Sequence, residues 1–153
     1  MERAYRQIVE LYRQEGLEPG RLLKLGYFPK WTVVLGEKGQ VGRAFHFDGE
    51  HAVYGPVQNT EFLLPLQRFV GKNLFALAES LLGERDIQLR AICLAALNAL
   101  AQPLNQGKSL RKQGFEPVGA DNLDFIRPEE RVVFIGYGAY LKEALERCPV
   151  IHV

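Results

Sequence analysis

Apolar residues recur at Ala4, Ile8, Leu11 and Tyr12, one face of a helix that the spacing predicts over residues 2–15, with Gly16 as its stop. Beyond Pro19-Gly20 the period changes. Trp31–Leu35, Val41–Phe47 and Glu50–Val53 are short β-branched or aromatic runs, joined by Gly36-Glu37-Lys38-Gly39 and by Asp48-Gly49. Short Gly- and Asp-rich connections are hairpin signals, so the three runs predict an antiparallel meander. Two helices follow. Lys72–Leu82 precedes Gly83, expected as a left-handed C-cap, and Asp86 is placed to cap a second helix running to Gln102, which Pro103 helps to end. Ile87, Leu89, Ile92, Cys93, Leu94, Leu97 and Leu100 leave this second helix almost no polar face, which predicts a central element covered on several sides. Residues 103–123 hold only scattered apolar positions and read as a linker.

The pattern then changes class. Arg131–Ile135 is a buried strand, Gly136-Tyr137-Gly138 a turn, Ala139–Arg147 a helix, and Cys148–Val153 contains a second buried strand. That order opens a β-α-β unit. A parallel sheet needs both faces covered and more than two strands, so most of this α/β domain is expected beyond Val153. The chain is then a fragment or a shortened form. The fold expected is α+β: a three-stranded antiparallel meander with packed helices over residues 1–122, then the opening of an α/β unit over 123–153. The open edge of a two-strand parallel unit predicts a homo-oligomer or a partner chain that supplies the missing strands.

Composition narrows the partners. The 153 residues carry a net charge of +1, which gives no electrostatic pull toward nucleic acid or a membrane surface. No apolar run approaches the roughly 20 residues of a membrane span, and Met1-Glu2-Arg3-Ala4 is a polar helix start, not a secretory signal. A cytoplasmic protein with no nucleic-acid or membrane partner is expected. The two cysteines, Cys93 and Cys148, read as small buried hydrophobes in a reducing compartment.

Three places carry candidate chemistry. Gly136-Tyr137-Gly138 follows a buried strand and opens a helix, where glycines let backbone approach an anion and the helix end supplies unpaired N–H donors. A dinucleotide fingerprint wants a further glycine at the position of Leu141, so a phosphate-binding or plain strand-to-helix turn fits better than a dinucleotide site. Asn98 is the one polar residue in the second half of the apolar helix. An unpaired buried amide costs about 1–3 kcal/mol, so it is expected either to bond neighbouring backbone or to face a ligand or the second domain. Arg90, two turns earlier, reads as a solvated rim residue. His46, Asp48, Glu50 and His51 crowd one hairpin tip. Imidazole and carboxylate are ligands for a divalent transition metal, with His46, Asp48 and His51 as the candidate set, although hairpin tips are also polar for solubility alone. Cys148 and His152 lie about 13 Å apart along a strand, too far to share an ion. Lys108, Arg111 and Lys112 form a small basic cluster in the linker, with no aromatic interleaving. No motif names a nucleophile or a reaction.

Trp31-Thr32-Val33-Val34-Leu35, the helix Arg90–Leu100 with its Ala-Leu-Asn-Ala-Leu end, and Val132-Val133-Phe134-Ile135-Gly136-Tyr137 together resemble a family of bacterial and archaeal proteins assigned to heavy-metal chelation, of unknown activity. In that family an enolase N-terminal-like domain precedes a Rossmann-like domain. The resemblance covers the whole chain and implies a metal or a metal-containing small molecule bound in the cleft between the two domains. Asn98, Gly136, Tyr137 and Gly138 are the cleft walls it implies. Two other functions stay open on the residues: an enzyme holding a phosphorylated or nucleotide ligand at the Gly136 turn, and an interaction subunit that completes its sheet with another chain.

Overall fold

The computed structural model describes residues 1–28, 31–45, 60–112, 114–115, 126–134, 146–147 and 149–152. They fall into two compact units, Met1–Gln113 and Gly114–Val153.

In the first unit, helix α1 (Glu2–Gln14) buries Ile8 and Tyr12, and Gly16 ends it with φ +61°. Strands β1 (Leu22–Tyr27), β2 (Trp31–Gly36) and β3 (Val41–Phe45) form an antiparallel sheet in the order β1-β2-β3. The meander expected from sequence is present with a different first member. Leu22–Tyr27 escapes the alternation rule because its register shifts between Leu22 and Lys24, which breaks the period of two. The expected strand Glu50–Val53 and the last two positions of the expected Val41–Phe47 lie outside the described residues. Gly39, at φ +78°, closes the β2–β3 turn.

Pairing sorts the sheet into two faces. Leu25, Val34 and Gly42 form one cross-strand row, and Tyr27, Thr32 and Ala44 the next. Both rows are buried, and the polar member, Thr32, has no hydrogen-bond partner for its Oγ1. The helices α2 (Leu74–Ser80) and α3 (Ile87–Ala101) belong to the same core, where Leu22, Val34, Leu74, Leu77, Ile92 and Leu100 are completely covered. The side chain of Asp86 caps α3 by accepting from the N–H groups of Gln88 and Leu89, at 2.9 and 3.0 Å. Asn73 does the same for α2.

Three expectations are corrected. Gly83 is not a left-handed cap: α2 closes at Leu81 with φ −114°, and Gly71 is the glycine in this region with positive φ. The second concerns Asn98, expected to be buried on α3: the helix is covered on several sides as expected, but Ile87, Arg90, Leu94 and Asn98 make an exposed stripe along it. Residues 103–112 are not a linker, because a 3₁₀ turn (Gln102–Asn105) and helix α4 (Gly107–Lys112) continue the chain, with Leu104 in the core. A further 3₁₀ segment (Glu61–Phe69) buries Leu66 and Phe69. Ile87–Asn105 is also long and apolar enough to cross a membrane, and half of its apolar window is buried inside the protein. It is the core helix of this unit.

In the second unit, strands β4 (Val132–Phe134) and β5 (Val150–His152) pair in parallel, Val132 opposite Val150 and Phe134 opposite His152. Parallel neighbours need a crossover of roughly a dozen residues or more, which residues 135–149 supply. The molecule is thus α+β, with a three-stranded antiparallel sheet and several helices.

Candidate functional site

Asn98 is the one candidate site residue that lies among those described. It is exposed, not buried, and its Nδ2 donates to the Arg43 carbonyl at 2.7 Å. Four residues on, the Gln102 Oε1 accepts from the Val41 N–H at 2.6 Å. Residues four apart share a helix face, so α3 and its extension aim two amides at the outer edge of β3. An uncovered edge presents unpaired N–H and C=O groups that template pairing with other chains. Here a carbonyl and an N–H of that edge are met from inside the molecule. Alternate amides beside a strand edge were a legible signal once Val41 and Arg43 were known to be the edge residues.

The approach is this close because Gly42 has no side chain. A Cβ there would strike the Ala95 carbonyl oxygen and the Ala99 nitrogen. The alanine-rich face of α3 and this glycine on β3 are one feature read twice along the sequence.

His46, Asp48 and His51, together with Gly136, Tyr137 and Gly138, lie outside the described residues. The chain enters the first group directly from Phe45, which pairs with Trp31 at the end of β3. Strand β4 runs toward the second. Among the described residues no group of three or more His, Cys, Asp or Glu side chains is placed to hold a metal ion. Cys93 is completely buried, its Sγ lies 3.6 Å from the Ala78 carbonyl, and burial pushes its thiol pKa up. Its side chain is enclosed in the core, with no surface open to an ion from solvent.

Sequence reasoning passed over an open cleft of about 490 Å³ in the first unit, lined by Tyr12, Leu17, Glu18, Lys38, Gln40 and Gln106 among others. Its floor is polar and ordered. Gln40 is buried between Gly20 and Gly36, each of which would collide with it if it carried a Cβ, and its Oε1 accepts from the Lys38 N–H at 3.1 Å. The Tyr12 hydroxyl donates to the Leu100 carbonyl at 2.8 Å. The Lys38 ammonium donates to the Glu18 carbonyl at 3.1 Å, with the Glu18 carboxylate 3.8 Å away. The bond from Lys38 to the Glu18 carbonyl ties the β2–β3 turn to the segment after α1.

Residues 10–101 match a protein family described as "Putative heavy-metal chelation". The chain belongs to this family. The matched stretch holds all three strands of the antiparallel sheet, both core helices, and the segment with His46, Asp48 and His51. In fold the chain is similar to a crystal structure of a protein of unknown function from the DUF364 family of Desulfitobacterium hafniense DCB-2, with a TM-score of 0.50 and 19% sequence identity. That similarity covers 96% of this chain and 56% of the other, so the chain spans little more than half the length of that relative. No curated protein matches in sequence.

Proposed function

We propose that the protein binds a heavy metal or a metal-containing small molecule, through donors on the segment that follows β3. The observation that carries this reading is the family match over residues 10–101, which encloses two of the three histidines of the chain, His46 and His51. Asp48 stands between them, so two imidazoles and a carboxylate fall within six residues. Such a set suits a divalent transition metal such as nickel, cobalt, copper or zinc. Cys93 lies inside the same match but is withheld by burial. In the same reading residues 1–122 are an enolase N-terminal-like domain, residues 123–153 open a Rossmann-like one, and the protein is cytoplasmic.

The test is elemental analysis of the chain after equilibration with nickel, cobalt, iron, copper or zinc and exhaustive dialysis. One metal should remain at near-stoichiometric level and be lost when His46 and His51 are both replaced by alanine, with the helical circular dichroism unchanged. Retention of no metal, or retention indifferent to both substitutions, sinks the assignment.

A second reading is favoured by the parallel pairing of β4 with β5. In open parallel sheets ligands sit beyond the carboxyl ends of the strands, and the carboxyl end of β4 leads to Gly136-Tyr137-Gly138. On that reading the turn holds a phosphorylated or nucleotide ligand of an enzyme. Calorimetric titration with adenosine diphosphate checks it: heat that disappears in Gly136→Val supports it, and no heat refutes it for this nucleotide.

A further inference from the structure

The open cleft of about 490 Å³ in the first unit uses none of the residues in the metal reading, and its volume lies within the roughly 300–1,000 Å³ of small-molecule sites. Three stretches far apart in the sequence build it. Helix α1 supplies Tyr12. Gly16, at φ +61°, turns the chain so that Leu17 and Glu18 follow, with the Leu17 N–H returned to the Tyr12 carbonyl at 2.9 Å. The β2–β3 turn supplies Lys38 and Gln40, and the stretch after α3 supplies Pro103 and Gln106.

The floor is fixed before anything binds. Gln40 is only 3% exposed, and its amide occupies the space where Gly20 and Gly36 carry no side chain. It accepts from the Lys38 N–H at 3.1 Å and bonds the Tyr12 hydroxyl, which donates to the Leu100 carbonyl at 2.8 Å. One chain of hydrogen bonds thus joins the turn, α1 and α3 beneath the cleft, and a preorganised floor loses little freedom when a ligand arrives. The rim is looser. The Lys38 ammonium holds the Glu18 carbonyl at 3.1 Å but stands 3.8 Å from the Glu18 carboxylate, beyond hydrogen-bond distance, and the Glu18 side chain is 88% exposed. An exposed pair of this kind is worth little, so a ligand that replaces it gives up little.

We propose that this cleft binds a free α-amino acid with an aliphatic side chain. The charges of the lining select a zwitterion. It holds one ammonium, Lys38, and one carboxylate, Glu18, so a simple anion is opposed by Glu18 and a simple cation by Lys38. An α-amino acid carries both charges on groups attached to one carbon. Its carboxylate takes the Lys38 ammonium and its own ammonium takes the Glu18 carboxylate, two charge-assisted hydrogen bonds in place of one loose pair. Lys38 keeps its bond to the Glu18 carbonyl, which holds the cation at the rim. The Gln106 amide, in the same lining, is a further donor for the carboxylate. Leu17, 37% exposed, and the ring of Pro103 are the apolar surface for the ligand's side chain.

The test is titration of the metal-free, nitrogen-15-labelled chain of 153 residues with L-leucine, followed by amide NMR shifts. The amides of Leu17, Glu18, Lys38 and Gln40 should move together and saturate with a Kd on the order of 0.1–1 mM. N-acetyl-L-leucine lacks the ammonium and isopentylamine lacks the carboxylate, and each should bind about tenfold more weakly or worse. Glu18→Gln should weaken leucine by a similar factor and erase its advantage over the N-acetyl form, and Lys38→Met should erase its advantage over the amine. Both side chains are at the surface, so amide shifts away from the cleft should stay as they are in the wild type. Arg6→Gln, at a side chain 79% exposed on α1, should leave the Kd unchanged. No saturable shift, shifts confined to residues outside the cleft, or equal binding of the three compounds overturns the proposal. So does leucine binding that survives both Glu18→Gln and Lys38→Met. The titration contains no metal, so its failure leaves the metal reading untouched.

Discussion

The Tyr12 hydroxyl joins the end of α1 to the end of α3 through the Leu100 carbonyl, and it sits at the floor of the cleft beside Gln40. Burial pushes the phenol pKa above its ordinary value, and the Gln40 amide partly opposes that shift. A group with a raised pKa keeps its proton more tightly when folded. Its contribution is therefore complete below the unfolded pKa of about 10 and is lost as pH rises beyond it. Tyr5 shifts in the same direction through burial and the nearby Glu79 carboxylate. Tyr12→Phe should cost about 1 kcal/mol at pH 7 through the lost hydrogen bond, and its stability should fall less steeply than that of the wild type above pH 10. Urea unfolding measured from pH 7 to 11 checks both effects. An unchanged alkaline slope would place the titration elsewhere.

At the scale of elements, α3 is defined by what it touches. Its alanines and the missing side chain of Gly42 bring helix and strand backbones together, and Asn98 and Gln102 bond across the gap that results. Gly42→Ala forces these backbones apart. Overpacking of a close interface costs roughly 1–3 kcal/mol, and the clash here is with backbone, so about 3 kcal/mol or more is expected from thermal or urea unfolding. A loss below about 0.5 kcal/mol would show that the helix can shift freely. Position 98 shows what a helical wheel leaves open. An amide in an apolar helix is expected to bond backbone or to face a ligand, and the strand beside it supplies the backbone acceptor, although the residue is exposed and not buried.

For the whole molecule, the two units differ in how much structure surrounds their sheets. The first has a shared core that includes α1, α2, α3 and all three antiparallel strands. The second pairs β4 with β5 alone among the described residues, and two strands are seldom stable by themselves. Native-state hydrogen exchange should find the amides of β2 and α3 protected near the global limit and those of β4 and β5 exchanging through smaller openings. Equal protection would mean that the parallel pair is extended by further strands, from this chain or another. The metal experiment also belongs to this scale, since the proposed donors His46, Asp48 and His51 follow Phe45 in the sequence.

Local chemistry alone decided α1 and α3. Asp86 before an apolar run specifies a capped helix whatever surrounds it, and Gly16 ends α1 in the same way. The β2–β3 hairpin was equally local, through Gly39 and alternation on both sides. Two of the three short stretches that carry the family resemblance, Trp31–Leu35 and Arg90–Leu100, lie within the matched residues 10–101 and fall on β2 and α3. Tertiary structure decided the rest. Leu22–Tyr27 became a strand because β2 offered a partner despite the irregular register. Residues 102–112 became helical because Leu104 could be buried. Asn98 found an acceptor 55 residues away. Sequence periodicity records which residues want to be buried, and only the packed chain determines what meets them there.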